Sequence, residues 1–138
     1  MNIDNIYDAP LFSLKNYHVK GRVTGVYDGD SVTIIFPLFN NVYKWKCRLL
    51  GIDTPELRSR NELEKKRAYE IRDLLRGKIL NKIVEIECHE FDKYGRLLIT
   101  FSCDNCNINQ WLIDNDYAVK YEGGTKINWG DRLGKNSN

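Results

Sequence analysis

The sequence lacks long apolar runs and carries almost no net charge. No stretch of its 138 residues approaches the roughly eighteen consecutive apolar residues of a membrane-spanning helix. The N-terminal segment MNIDNIYDAPLFSLKNYHVK lacks the basic and apolar regions of a signal peptide. We therefore expect an intracellular protein without membrane association. Twenty-one Lys and Arg against nineteen Asp and Glu leave a formal charge of +2, which excludes a function based on overall positive charge.

The sequence also lacks the high cysteine content of a disulfide-rich protein. Four cysteines in a chain of this length, without a signal peptide, favour reduced thiols over a disulfide framework. Cys103 and Cys106 have the C-x-x-C spacing of a zinc half-site, but no second such pair completes four ligands. The alternative interpretation is a turn formed by Asp104 and Asn105, since these residue types favour tight backbone angles. We keep a zinc-stapled scaffold protein as a minor hypothesis.

Neither an internal repeat nor a Pro/Gly/Ser-rich linker divides the chain. The sequence therefore predicts one domain at 17–133, a flexible N-terminal extension at 1–16 and a disordered tail at 134–138. We expect a monomer by default.

Alternating apolar and polar residues predict five strands, at 18–26, 31–36, 43–50, 83–88 and 97–101. A helix is predicted from a capping box of Ser59 and Glu62 to a terminating Gly77. Its core-facing stripe consists of Leu63, Ala68, Ile71, Leu74 and Leu75. A second, short helix follows Asn107 and ends at Asp114.

This order of elements, mainly β with two or three helices, suits a five-stranded Greek-key barrel of the OB type. An SH3-like barrel is the alternative, because periodicity alone does not separate the two. The C-terminal part, with two glycines and a polar end, predicts no more than a short turn at 127–133.

Charged residues concentrate at three predicted strand ends. Asp30 and Asp53 offer hard oxygen ligands of the kind that Ca²⁺ or Mg²⁺ prefers. Arg48 and Arg96 offer planar guanidinium groups that match phosphate oxygens, and Glu56 is left to take a proton from water. These are the components that hydrolysis of a phosphodiester requires.

The same stretches resemble a known family. VYDGDSV, CRLLGIDTPEL and FDKYGRLL, in this order and with a Lys- and Glu-rich helix between the last two, are similar to the staphylococcal nuclease family. The resemblance extends from about Val19 to Lys126. It implies an OB-type barrel that cleaves DNA and RNA, favours single strands and leaves 3′-phosphate ends.

The resemblance also implies a role for individual residues. Asp30, Asp53 and the backbone carbonyl of Thr54 would ligate one Ca²⁺ ion, with Mg²⁺ as the second choice, and Glu56 would act as general base. The two arginines that would clamp the scissile phosphate are Arg48 and Arg96. The residues that would surround the neighbouring nucleotide are Lys93, Tyr94 and Tyr121.

Two points stay open at the level of the sequence. The family usually closes with a third helix of several turns, which the end of this chain does not predict. Some members have lost acidic residues and only bind nucleic acid or protein, so a non-cleaving binding module is the alternative function.

Overall fold

The fold was analysed in a computed structural model, which describes residues 3–4 and 6–135. Five long strands form its main sheet: β1 (His18–Asp28), β2 (Ser31–Leu38), β3 (Asn41–Leu49), β5 (Ile83–Phe91) and β6 (Leu97–Cys103). Three two-residue strands complete the β structure: β4 (Ile52–Asp53), β7 (Cys106–Asn107) and β8 (Val119–Lys120). The helices are α1 (Glu62–Ile79), α2 (Ile108–Asp114) and α3 (Trp129–Lys135).

The long strands close into a barrel. Antiparallel pairing gives the order β3-β2-β1-β5-β6, and a parallel pairing of β3 with β6 joins the two ends of the sheet. Closure removes the exposed edges that an open sheet would present. The predicted OB-type barrel of five strands is thereby confirmed, with three helices around it.

The barrel interior is filled by alternate residues of each strand. In β6, for example, Leu97, Ile99 and Phe101 are almost completely buried, whereas the residues between them are partly exposed. This period of two follows from the pleat of a strand, which sends successive side chains to opposite faces. The sequence pattern therefore separates inside from outside where a strand lines the barrel, whereas the first four residues of β3 are all exposed.

Helix α1 differs from its prediction at both ends. Its N-cap is Asn61, whose side chain accepts a 3.0 Å hydrogen bond from the backbone of Glu64. The predicted capping box of Ser59 and Glu62 is wrong, because the Ser59 hydroxyl instead donates to the Glu64 carboxylate. The helix also continues through Gly77 to its C-cap, Leu80.

The predicted core stripe of α1 is partly wrong. Leu63 and Leu74 are both 45% exposed, while Ala68, Ile71 and Leu75 are buried as predicted. The buried stripe continues at Ile79, one turn beyond the predicted end of the helix. It faces the barrel mainly at β1.

The ends of the domain pack onto the barrel. Leu14 belongs to the core, and the backbone N–H of Asn16 donates to the carbonyl of Cys88 over 2.9 Å. At the other end, α3 is a helix of seven residues where a turn was predicted. The predicted domain boundaries, between residues 16 and 17 and between residues 133 and 134, stay a prediction. Residues 1, 2, 5 and 136–138 lie outside the described part of the chain. No helix in the described part is long and apolar enough to cross a membrane.

Candidate active site

The turn between β1 and β2 brings a buried aspartate to the mouth of the barrel. The backbone N–H of Asp30 donates to the Asp28 carboxylate over 3.1 Å, and the carbonyl of Asp30 accepts a 2.9 Å hydrogen bond from Leu49. Burial, together with the charge of Asp30, raises the pKa of Asp28 to about 7. A Cβ atom at Gly29 would lie 2.9 Å from the side chains of Ile71 and Thr54, so glycine lets the turn approach them closely.

Asp53 is the most deeply buried acid of the site. It lies in β4, is 2% exposed, and its Oδ2 accepts a 3.0 Å hydrogen bond from Nε1 of Trp129. Its Oδ1 is buried and accepts no hydrogen bond from the described residues. The hydroxyl of the next residue, Thr54, is also buried without a hydrogen-bond partner among them.

Arg48 lies between the two acids. Its Nη2 atom is 3.4 Å from Asp30 Oδ2 and 3.9 Å from Asp53 Oδ1. The register of β2 and β3, which places Ser31 opposite Arg48, brings the arginine beside the β1–β2 turn. Residues distant in the sequence therefore share one charged cluster.

Glu56 joins this cluster through a lysine. Nζ of Lys126 is 3.5 Å from Glu56 Oε1 and 3.4 Å from Asp53 Oδ1. Burial alone would lower the pKa of Lys126, but the charges of Asp53 and Glu56 outweigh it and raise that pKa. The Glu56 side chain is 59% exposed, and its backbone N–H donates to the carboxylate of Glu64 at the start of α1.

Arg96 is held by an acid of its own loop. Its Nε donates to Asp92 Oδ2 over 2.8 Å, and its backbone N–H donates to Asp92 Oδ1 over 2.9 Å. Tyr94 in the same loop is 73% exposed, and its ring centre lies 5.8 Å from the Arg96 guanidinium and 5.2 Å from Nζ of Lys93. The loop thus presents one guanidinium group and one exposed ring together.

One cavity of about 480 Å³ collects most of these groups. Among the residues that line it are Asp30, Arg48, Glu56, Arg96 and Lys126. Both predicted arginines and the predicted general base therefore face the same space. The cavity opens at one mouth of the barrel, next to the β1–β2 turn.

Five predicted site residues lie outside this lining. Asp53 and Thr54 are buried close to it, where Asp53 contacts two of the cations that line the cavity, Arg48 and Lys126. Tyr121 lies with its ring centre 6.0 Å from the Arg48 guanidinium, and its hydroxyl donates to the carbonyl of Gly124. Lys93 and Tyr94 belong to the Arg96 loop.

The donor set suits a hard cation. Asp30 and Asp53 offer carboxylate oxygens. Asp53 Oδ1 accepts no hydrogen bond from the described residues but lies within ion-pair distance of Lys126 and Arg48. The buried Thr54 Oγ1 also has no hydrogen-bond partner among the described residues. Within the described residues there is no group of three or more His, Cys, Asp or Glu that could hold a metal. Two carboxylates supplemented by carbonyl or water oxygens are therefore what this site offers. The described lining of the cavity contains no histidine, and burial raises the pKa of its cysteine, Cys47, to about 12, so the thiolate and imidazole ligands typical of zinc are not offered.

Cys103 and Cys106 lie elsewhere, opposite each other in the β6–β7 pair. Asp104 and Asn105 between them both adopt positive φ, at 51° and 63°. The segment is the tight turn that the alternative interpretation described.

Comparison with known proteins identifies the family. A family profile described as staphylococcal nuclease homologue matches residues 46–132. The chain belongs to the staphylococcal nuclease family. An uncharacterized protein of Methanocaldococcus jannaschii is 32% identical over 149 aligned positions, which cover 85% of this chain and 70% of that protein. Membership in the staphylococcal nuclease family indicates a nuclease-type or nucleic-acid-binding module.

Two contributors to the site were not predicted as site residues. Lys126 stands at the end of the region over which the family resemblance extends, but its ion pairs depend on how residues 121–128 return to the barrel mouth. Trp129, at the start of α3, donates its indole N–H to Asp53. An aromatic residue near a polar chain end gave no indication of that hydrogen bond.

Proposed function

We propose that this protein is a calcium-dependent nuclease that hydrolyses phosphodiester bonds of DNA or RNA with little sequence specificity and leaves 3′-phosphate ends. The observation that carries the proposal is the meeting of Arg48, Arg96 and Glu56 at one cavity, beside the Asp30 and Asp53 carboxylates. These groups come from three separate stretches of the chain. Barrel stability alone does not require them to face one another.

Asp30, Asp53 and Thr54 would hold the ion. When bound, Ca²⁺ would supply positive charge beside the phosphate and compensate the two buried acids. Mg²⁺ is the second choice, because it demands more regular geometry than this set of donors offers.

The protein's own groups account for the remaining chemistry. Arg48 and Arg96 would donate hydrogen bonds to the phosphate oxygens and stabilise the additional negative charge of the transition state. Glu56, with its exposed carboxylate at the cavity, would take a proton from the attacking water. Lys126 forms ion pairs with both Glu56 and Asp53 and so partly compensates their negative charge.

Low sequence specificity follows from the type of contact. Phosphate contacts carry no base information, and stacking on an aromatic ring accepts every base. Lys93, Tyr94 and Tyr121 would surround the neighbouring nucleotide, with the exposed Tyr94 ring as the stacking surface. Single strands are favoured because their bases are free to stack.

A single-stranded oligonucleotide tests the proposal directly. It is incubated with the protein in Ca²⁺, in Mg²⁺ and in excess chelator, and the product ends are identified. We expect cleavage in Ca²⁺, none in chelator, and 3′-phosphate products. An oligonucleotide that is bound but intact under all three conditions would identify a binding module.

A further inference from the structure

A row of cations leads away from the candidate active site along β3. Arg48, Lys46 and Lys44 occupy alternate positions of this strand, so their side chains leave the same face of the sheet. We call these three residues the β3 cation ladder. Trp45 and Cys47, which lie between them, belong to the inner face, where they pack against or within the core.

The ladder carries positive charge without compensation along the hairpin. From Ser31 to Ile52 the sequence contains neither Asp nor Glu. Lys44 and Lys46 are exposed, and neither forms an ion pair with a described residue. Of the three, Arg48 alone contacts acids, and these are the acids of the site itself.

The neighbouring strands leave this face open. Across from the ladder, β2 places Ser31, Thr33 and Ile35, none of which is charged. On β1, Arg22 lies opposite Ile35 and adds a further cation, although its Nη1 is bonded to the carbonyl of Asn81. Helix α1 packs on the core side of β1, so it does not cover the outer face.

The ladder is continuous with the cavity. Lys46 and Thr33 line the cavity together with Arg48, and Lys44 is the next step beyond its rim. At about 3.3 Å per residue, Arg48 and Lys44 are separated by about 13 Å along the strand. Neighbouring cations of the ladder are therefore about 6.6 Å apart. This is about twice the 3.4 Å spacing of stacked nucleotides, so one phosphate per cation requires an extended strand.

We propose that the β3 cation ladder is an extended binding track for single-stranded nucleic acid, in which Lys46 and Lys44 contact successive phosphates adjoining the one at Arg48. The inference rests on the proposed function, because that function places the scissile phosphate at Arg48. A polynucleotide that enters the cavity carries one negative charge per residue in both directions. An acidic protein surface does not carry such a regular series of negative charges leading out of the cavity, so it fits the ladder less well.

The test compares two double variants with equal loss of charge. Lys44→Gln/Lys46→Gln removes the two lysines of the ladder, and Lys65→Gln/Lys66→Gln removes two lysines from the exposed face of α1. Each protein is assayed on a twelve-nucleotide oligothymidylate and on a thymidine phosphodiester with a nitrophenyl leaving group. The second substrate is too short to reach the ladder. Thermal melts verify that both variants are folded.

For the ladder variant we expect roughly a tenfold higher KM on the oligonucleotide at low salt, with unchanged kcat and unchanged kinetics on the short substrate. Oligonucleotide binding is measured by fluorescence anisotropy in chelator at several salt concentrations. The slope of log K against log salt concentration should be smaller in magnitude by about 1.4 in the ladder variant, because each of the two lost phosphate contacts contributes about 0.7. The α1 variant should match wild type in every assay.

Each other outcome has a defined meaning. An equal loss of oligonucleotide affinity in the two double variants would overturn the proposed binding track. An unchanged salt slope of binding in the ladder variant would overturn it as well. If wild type cleaves neither substrate, the proposed function fails, and the anisotropy slope still decides whether the ladder binds the strand.

Discussion

The indole Nε1 of Trp129 donates a 3.0 Å hydrogen bond to Oδ2 of Asp53, and both side chains are buried. Helix α3 is thereby attached to the acid at the centre of the site. Although short, the C-terminal helix thus orients one of the carboxylates predicted to bind the ion.

Trp129→Phe tests the importance of this hydrogen bond. The substitution retains most of the packing but leaves a buried charged oxygen without its donor, so we expect a loss of about 1 to 3 kcal/mol in the free energy of unfolding. Urea denaturation measures it. Trp111→Phe is the matched control, because Trp111 is only partly buried and the described residues accept no hydrogen bond from its indole. Equal losses in the two variants would show that the bond contributes nothing specific.

The two arginines should not be replaceable by lysine. A lysine ammonium retains the charge but does not reproduce two parallel hydrogen bonds to phosphate oxygens. We therefore expect Arg48→Lys and Arg96→Lys each to lower kcat on single-stranded DNA by roughly a hundredfold or more. Lys93→Arg in the Arg96 loop, which retains charge and leaves both guanidinium groups in place, should have a much smaller effect. Near-normal turnover in either Arg→Lys variant would contradict the clamp.

Stability should depend on pH through Asp92. Burial raises the pKa of this carboxyl. Hydrogen bonds from the Arg96 and Tyr94 backbones, together with the Arg96 charge, lower it by a larger amount. The pKa of Asp92 therefore lies below its ordinary 3.8. A lowered folded-state pKa contributes stability that is present above about pH 4 and disappears as the pH falls through the folded value.

Asp92→Asn removes this contribution. The gap in unfolding free energy between wild type and variant should be constant from about pH 5 to 7 and become smaller below about pH 4. Urea titrations across this range measure the gap, with the exposed Asp8→Asn as control. A gap that widens on acidification would reverse the assigned sign.

The barrel could be predicted from the sequence because its main determinants are local. Alternation along each long strand fixes which side chains point inward, and the predicted β3 strand correctly placed Arg48 on the face of Lys44 and Lys46. Ends of elements were less predictable. Asn61 and Ser59 are both good capping residues, and the contact of Ser59 with Glu64 decides between them.

The site could be predicted only as far as its motifs extend. Asp30, Arg48, Asp53, Glu56 and Arg96 each lie in a recognisable stretch, and the structure brings these stretches to one mouth of the barrel. Lys126 contacts two of them but lies in no such stretch. Its position depends on the path of the chain after β8, which no local pattern determines.

The central claim is that these side chains form one cleavage site with Glu56 as its base. The most direct measurement is the initial rate at which wild type and Glu56→Gln cleave an end-labelled single-stranded oligonucleotide in Ca²⁺. The account predicts cleavage by wild type and a rate about a hundredfold to ten-thousandfold lower in the variant, whose amide does not accept the proton. Equal rates in the two proteins, or an intact oligonucleotide with wild type, would contradict it.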